Sequence, residues 1–133
     1  MSITTVSKTN KRAIGRAGED AACAYLENRG YRILYRNFRF GRYGEIDIIA
    51  TNYDALCFIE VKSRACAGYG TPAESVGYAK RRNIIAVAYH FLRTFDFRDY
   101  KPRFDVMEVI CEKSGALRPI KEIRHIEDAF LEV

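Results

Sequence analysis

The chain has 133 residues, of which 48% are hydrophobic, and its 22 basic and 17 acidic side chains give a net charge of +5. These values fit one globular domain and exclude a disordered chain. No apolar run approaches the roughly 20 residues that cross a bilayer, and no hydrophobic signal segment follows the polar start. We therefore expect a cytoplasmic protein that does not enter a membrane, with a flexible basic tail at residues 1–12 and a single domain at residues 13–133.

The first half of the chain predicts one helix and three strands. Apolar residues follow helical spacing over residues 14–28, and Gly30 ends that helix. Strands are predicted over residues 31–40, 45–51 and 55–62, separated by turns at 41–44 and 52–54. Because the connections are short, the three strands should be antiparallel neighbours in chain order.

The second half begins with a small, glycine-containing loop at residues 65–70. A helix then starts either at the capping-box sequence of residues 71–74 or near Tyr78, and it runs to about Arg93. Two strands follow, over residues 104–111 and 117–126, with a turn at 114–115 and a short helix at 127–131. The order α-β-β-β-α-β-β predicts an α/β fold in which helices flank a mixed β-sheet.

Three charged residues interrupt two otherwise hydrophobic strands. Because side chains alternate along a strand, Ile46 and Ile48 should point one way and Asp47 the other. By the same rule, Glu60 and Lys62 share one face of the next strand. Charged groups in central strands lose hydration energy unless they pair or bind a cation.

A hairpin between these strands would bring Asp47 close to Glu60. Two adjacent carboxylates repel each other, and a divalent cation relieves that repulsion. Such oxygen ligands suit Mg²⁺, with Mn²⁺ as an alternative, while Lys62 could orient water or stabilise charge on a phosphoryl oxygen. The competing interpretation is a structural ion pair, which fits less well because the carboxylates outnumber the lysine.

Other polar residues carry weaker signals. Glu19 lies at the edge of the apolar stripe of the first helix and could reach the sheet, although local reasoning alone favours an exposed first-turn glutamate. A local ion pair with Arg103 accounts for Asp105, and His90 is assigned to packing or to the surface. Four cysteines without zinc-ligand spacing are predicted to be buried free thiols; they are Cys23, Cys57, Cys66 and Cys111.

A basic and aromatic segment lies between Arg29 and Arg42 and contains no acidic residue. Its five arginines alternate with aromatic residues from Tyr31 to Tyr43. Arginines can contact phosphates while aromatic rings stack on bases or anchor the segment to the core. A solvated face of an amphipathic strand explains the pattern equally well.

Asp47 followed by Glu60-Val61-Lys62 resembles the D…ExK signature of the PD-(D/E)xK nucleases, whose fold is called restriction-endonuclease-like. ExK alone is common by chance, but an ordered set of stretches over residues 14–131 more closely resembles the YraN-like family of bacterial proteins. That family is in turn similar to archaeal Holliday-junction resolvases. The stretches are Gly15-Arg16-Ala17-Gly18-Glu19, Gly30-Tyr31, Arg36-Asn37, Gly44-Glu45-Ile46-Asp47, Phe58 to Arg64, Arg103-Phe104-Asp105-Val106 and His125-Ile126.

The resemblance implies a metal held by Asp47, Glu60 and the main-chain carbonyl of Val61, with Lys62 assisting the attacking water. It also implies a helix that carries Glu19. Lys80 is the candidate for a further catalytic residue, or equally for a phosphate contact or a solvated lysine. The chain has Ile46 where the motif name places proline, a departure that the family pattern tolerates.

These observations predict a Mg²⁺-dependent endonuclease that hydrolyses phosphodiester bonds in nucleic acid. DNA is favoured over RNA as the substrate, and structured or branched DNA is one candidate form of it. The alternative is a nucleic-acid-binding protein that has this fold without turnover. Since resolvase-like relatives often act as dimers, a homodimer is an alternative to a monomer. The residues predicted to receive the nucleic-acid backbone are Arg36, Arg39, Arg42, Arg64, Lys80, Arg81 and Arg82.

Overall fold

The computed structural model describes residues 8–64, 76–111 and 120–130, with side chains from Gly15 onward. The elements are α1 (Lys8–Asn28), β1 (Arg32–Phe40), β2 (Gly44–Asn52), β3 (Ala55–Arg64), α2 (Tyr78–Thr94), β4 (Lys101–Cys111) and β5 (Ile120–Ile126). They form one sheet in the order β1-β2-β3-β4-β5, in which β3 and β4 are parallel and the other neighbours antiparallel. The predicted α/β fold with a mixed sheet is confirmed.

The two helices cover opposite faces of the sheet. Leu56 and Phe58 of β3 pack in one hydrophobic cluster with buried residues of α2, including Phe91. Cys57 and Ile59, the residues between and after them, pack in a second cluster with Leu26 of α1. Since alternate residues of β3 face different helices, this strand is buried on both sides and forms the centre of the molecule.

Several element boundaries differ from those predicted. The first helix begins at Lys8 rather than near residue 14, and so includes part of the tail expected at residues 1–12. The second begins at Tyr78, the later of the two predicted starts. Three predicted features lie outside the described residues: the loop at 65–70, the capping box at 71–74 and the turn at 114–115. Neither helix in the part of the chain that the structure describes is long and apolar enough to cross a membrane.

The helix predicted at residues 127–131 is wrong for the residues described, because 127–128 form a turn and 129–130 are not helical. Asp128 has a φ of 55°, a left-handed conformation that a helix does not accept. Its main-chain N–H donates a hydrogen bond to the Asp105 carboxylate at 3.0 Å. This tertiary hydrogen bond therefore takes the place of helix continuation.

Asp105 is the centre of a buried polar network. Its fully buried carboxylate accepts hydrogen bonds from Arg103 Nε (2.9 Å) and lies 2.8 Å from His125 Nε2. Arg103 also donates to the Tyr31 hydroxyl at 2.8 Å. Burial alone would raise the pKa of Asp105, but these donors hold it below its ordinary value. The predicted Arg103–Asp105 ion pair is confirmed, and it is one part of a larger network.

Candidate active site

The candidate site lies where β2 and β3 separate. The β2–β3 ladder runs from Asn52 opposite Ala55 to Ile48 opposite Ile59 and stops there. Beyond that point β2 stays paired with β1, and β3 stays paired with β4 as far as Arg64. The strands therefore form a fork, and Asp47 and Glu60 are the first residues inside it.

The predicted alternation of β2 fails at this fork. Ile46 packs in the cluster with α2, whereas Ile48 packs in the cluster with α1, so these two side chains do not share a face. Strict alternation requires a regular ladder, and here the ladder with β3 has ended. In its place the Val61 N–H donates to Asp47 Oδ2 at 2.8 Å. The aspartate side chain thus accepts the hydrogen bond of a β3 amide just beyond the last ladder pair.

The Asp47 and Glu60 carboxyl groups are adjacent in the fork. Glu60 is 4% exposed, and its Oε1 has no hydrogen-bond partner among the described residues. Burial, followed by the charge of Glu60, raises the pKa of Asp47 to about 8. The pair therefore retains a proton near neutral pH and has an unused acceptor atom.

Two lysines contact the other oxygen of Glu60. Lys80 Nζ of α2 is 3.0 Å from Glu60 Oε2, and Lys62 Nζ of β3 is 3.8 Å from the same atom. Burial by itself lowers the pKa of Lys80, but the Glu60 carboxylate holds it above its ordinary value. Lys80 is consequently a cation at neutral pH. It makes the shorter contact with Glu60, although the sequence favoured Lys62 as the functional lysine.

Glu19 approaches the fork from α1. Its side chain is 17% exposed and accepts a hydrogen bond from Asn37 Nδ2 at 3.1 Å, with Arg36 at 3.6 Å. Burial is the main cause that raises its pKa, and the charge of Arg36 opposes it. Helix α1 approaches β3 closely because Gly18 is buried against Ser63, where a Cβ atom on Gly18 would collide with the hydroxyl. The exposed first-turn interpretation of Glu19 is therefore wrong.

These side chains line a cavity of about 400 Å³, which we call the site cavity. That volume lies within the range of small-ligand pockets. Its walls come from both helices and from both strands of the fork. The lining residues are Gly15, Glu19, Asp47, Glu60, Val61, Lys62, Ser63 and Lys80. All four residues predicted to be catalytic are among them.

The basic residues predicted to contact nucleic acid fall into three groups. Arg36 pairs with Asp20 at 2.8 Å, and Arg64 pairs with buried Glu108 at 2.8 Å, so both guanidinium groups already have acidic partners. Arg81 is half-buried, and Arg82 is exposed with its guanidinium 5.8 Å from the centre of the Tyr78 ring. The remaining three, Arg39, Arg42 and Lys80, line a second cavity beside the first.

The second cavity has a volume of about 330 Å³ and shares Asp47 and Lys80 with the site cavity. Its other lining residues come from the end of β1, the turn that follows it, the start of β2, and α2; they are Arg39, Arg42, Tyr43, Gly44, Glu45, Asn83 and Ile84. The two cavities therefore adjoin each other at the fork.

The donors at the fork fit a divalent cation. No three His, Cys, Asp or Glu side chains within residues 8–64, 76–111 and 120–130 are grouped closely enough to hold a metal alone. Two adjacent carboxylates with one unpartnered buried oxygen are, however, hard donors of the kind that Mg²⁺ prefers, and Mg²⁺ commonly keeps several waters beside one or two carboxylates. A cation would also offset the burial and the repulsion from Glu60 that together keep Asp47 protonated.

Comparison with known proteins places these residues in a family. The model for the family described as "Uncharacterised protein family UPF0102" matches residues 18–109, which include the whole fork and Glu19. The chain belongs to this family. It is 48% identical to a UPF0102 protein of Acetivibrio thermocellus over 124 residues, which cover 93% of the chain and 95% of the relative. The YraN-like resemblance is thus confirmed.

Other UPF0102 proteins match over a similar length. One from Caldanaerobacter subterraneus subsp. tengcongensis is 36% identical over 94% of the chain and 100% of its own length. One from Rhodococcus opacus is 43% identical over 89% of the chain and 96% of its own length. These relatives therefore share with this chain nearly the whole domain and not only the motif segment.

Sequence reasoning missed Asn37 as the partner of Glu19. Asn37 has a φ of 54° within β1, and that left-handed conformation accompanies the hydrogen bond from its amide to Glu19. Asparagine tolerates this conformation better than most residues, so an asparagine in the middle of a predicted strand was the available signal.

Proposed function

We propose that this protein is a metal-dependent nuclease that hydrolyses phosphodiester bonds in nucleic acid. The observation that carries the proposal is the pair of adjacent carboxyl groups in the fork, half-buried Asp47 and buried Glu60, with Glu60 Oε1 unpartnered among the described residues and two lysines on Glu60 Oε2. Two acids placed side by side at the edge of the core do not stabilise the fold, and Asp47 holds a proton at neutral pH. A cation and an anionic substrate together explain why both acids and both lysines are there.

In this proposal Asp47, Glu60 and the Val61 carbonyl hold Mg²⁺, with Mn²⁺ as the alternative. When bound, a divalent cation supplies positive charge that polarises a phosphodiester and makes water more acidic. Asp47 is held in place for this role by the Val61 N–H. Glu60 is held by Lys80, which leaves Oε1 free to act as a ligand.

The remaining side chains act on the substrate and on water. Lys62 and Lys80 present two ammonium groups to the site cavity, where they can stabilise the negative charge that develops on the phosphoryl oxygens. Since Lys80 is a cation at neutral pH, it stabilises negative charge and does not act as a general base. Glu19, fixed by Asn37, can accept a hydrogen bond from a water molecule in the cavity.

The test is cleavage of labelled duplex, single-stranded and branched DNA, and of matched RNAs, with Mg²⁺, Mn²⁺ or EDTA. We expect cleavage with either metal and none in EDTA. Asp47→Asn and Glu60→Gln should each reduce the rate about 100-fold or more, since loss of even an outer-sphere partner costs about 10–100-fold. DNA is expected to be cleaved in preference to RNA.

Two matched variants serve as controls. Asp54→Asn and Glu122→Gln make the same chemical changes at exposed positions away from the fork and should cleave like wild type. If no substrate is cleaved with any metal while binding persists in EDTA, the protein binds nucleic acid without turnover. If Asp47→Asn cleaves like Asp54→Asn, the fork is not the active site.

A further inference from the structure

The second cavity carries an arrangement that phosphodiester hydrolysis alone does not require. Tyr43 stands at its edge, and its side chain is 43% exposed. The Tyr43 ring is stacked on Phe40, with ring centres 5.5 Å apart and planes 19° apart. Phe40 is in turn stacked on His90 of α2, at 3.7 Å and 2°. The three rings are thus nearly parallel, and the outermost ring of the stack is the exposed Tyr43.

This stack is held in place by the backbone beside it and by the core. The turn Gly41–Tyr43 leads directly into Gly44, whose φ of 103° suits glycine and sets the direction in which β2 begins. His90 belongs to the interior of α2, so the stack is connected to an element of the core. An aromatic platform that is already ordered loses little conformational entropy when a planar ligand stacks on it.

Polar groups around the platform match a nucleotide. Arg42 is exposed and forms no ion pair among the described residues, while Arg39 is 63% exposed and 3.8 Å from Glu45. Asn83 lies on α2, three residues after Lys80, and its amide offers both donors and an acceptor. The cavity therefore combines a flat ring, cations for phosphate and an amide for a base edge.

Three other aromatic residues of the basic segment pack against the body of the fold. Tyr31 is buried under Arg103, and Phe38 packs against Phe91 of α2. Tyr35 contacts the same ring at 5.6 Å. Tyr31 and Phe38 thus anchor the segment to the core. Tyr35 is 39% exposed but lines neither cavity at the fork, whereas Tyr43 lines the second cavity.

We propose that the second cavity binds an unpaired nucleotide next to the phosphodiester in the site cavity, with its base stacked on Tyr43 and its phosphate held by Arg39 and Arg42. The inference rests on the proposed function and names the substrate class: DNA with a single-stranded segment at the site of cleavage. A paired base is covered on both sides by its neighbours, so it cannot also lie flat on an external ring. Stacking is sequence-tolerant because every base has a π-face.

The test measures binding without turnover, in EDTA, with fluorescent oligonucleotides that are single-stranded, fully duplex, or duplex with a short unpaired gap. We expect the full-length protein to prefer the single-stranded and gapped forms. Tyr43→Ala should weaken binding to them about tenfold, the size expected for one lost base–aromatic stack, while Tyr43→Phe retains it. A 2-aminopurine base in the gap should change its fluorescence with wild type and Tyr43→Phe but not with Tyr43→Ala.

Tyr53→Ala is the matched control, because Tyr53 is 94% exposed at the β2–β3 turn, at the opposite end of these strands. Arg42→Ala should also weaken binding, since Arg42 is proposed to hold the phosphate. Its matched control is Arg32→Ala, at the far end of β1. Equal binding by Tyr43→Ala and Tyr53→Ala would overturn the inference even if the protein cleaves DNA. Tyr43-dependent binding without any cleavage would support it while the proposed catalysis fails.

Discussion

At the scale of single residues, the fork depends on a balance of protons and cations. Asp47 retains its proton because burial and Glu60 disfavour its charge, and Glu60 is contacted by two ammonium groups on one oxygen only. Without a bound cation, the two adjacent carboxyl groups therefore destabilise the folded protein. Two measurable consequences follow, one for stability and one for metal binding.

The first concerns the pH dependence of folding in EDTA. The pKa of Asp47 is about 8 in the folded chain and 3.8 in the reference state, so the folded protein binds more protons between these values. The stabilisation by this proton is complete below about pH 4 and is lost as the pH rises through 8. Asp47→Asn removes that dependence and should be more stable than wild type at pH 8 by about 1–3 kcal/mol. Urea unfolding across this pH range measures it, and parallel curves for both proteins would contradict it.

The second concerns proton release on metal binding. Because Asp47 must ionise to serve as a ligand, Mg²⁺ binding at pH 7 should release about one proton per chain. Calorimetry in two buffers with different ionisation enthalpies measures that number. Excess Mg²⁺ should also raise the melting temperature of wild type but not that of Glu60→Gln. A melting temperature that rises equally in Glu122→Gln and Glu60→Gln would place the metal elsewhere.

Much of this site could be predicted from the sequence, because acids and a lysine within apolar strands are costly unless they have a function. Asp47, Glu60, Lys62 and Glu19 all line the site cavity as expected. The orientation of Ile46 could not be predicted, because it depends on where the β2–β3 ladder ends. Local sequence also does not reveal which arginines already have acidic partners. Arg36 lies against Asp20, 16 positions earlier, and Arg64 against Glu108 across the parallel pair.

At the scale of elements, the approach of α1 to β3 decides where Glu19 lies. Gly18 and Ser63 are in contact at that crossing, whereas a Cβ atom on Gly15, one turn earlier in the same helix, would have nothing within 4 Å. The two glycines therefore have opposite roles. One permits the close approach of helix and strand, and the other is an ordinary helix position with a cavity beside it.

Gly18→Ala should destabilise the protein by about 1–2 kcal/mol, because Ser63 must rotate or the helix must move away. Gly15→Ala should stabilise it by roughly 0.5–1 kcal/mol through helix propensity alone. Adding Ser63→Ala to Gly18→Ala removes the colliding hydroxyl and should recover most of the loss. Denaturant unfolding of wild type, Gly18→Ala, Ser63→Ala and the double variant completes the cycle. Equal effects of Gly18→Ala and Gly15→Ala would show that the crossing is not tight.

Element order was easier to predict than element ends. Helix α2 carries a strong apolar stripe, and only its start at Tyr78 was left between two alternatives. The wrong helix at residues 127–130 fails for a tertiary reason, since Asp128 donates its N–H to Asp105, 23 residues earlier in the chain. Such a partner is invisible to any local pattern.

At the scale of the whole molecule, the Asp105 network connects segments that are far apart in sequence. Its hydrogen bonds join β4, the residue before β1, the end of β5 and the turn after it. Asp105 is fully buried, so its loss leaves Arg103 without its main partner. This network, rather than the fork, is expected to carry much of the polar contribution to global stability.

Asp105→Ala should cost about 3–5 kcal/mol of unfolding free energy, as for other buried ion pairs that lose one partner. Asp96→Ala is the matched control, because Asp96 also pairs with an arginine two positions away, but at the surface. It should leave the stability close to that of wild type, because an exposed ion pair is screened by solvent. The prediction is contradicted if thermal and urea unfolding give similar losses for the two variants.

The parallel pairing of β3 with β4 has a consequence for the order in which the chain folds. The partners Ala55 and Lys101 are 46 positions apart, whereas the β2–β3 turn joins immediate neighbours. Short-range hairpins form in microseconds, and long-range parallel pairing is slower. During synthesis β1 to β3 are therefore available before β4, and the apolar edge of β3 is open until β4 has left the ribosome. A chain halted after α2 should aggregate through that edge, which makes translation through residues 95–111 the vulnerable interval for this protein.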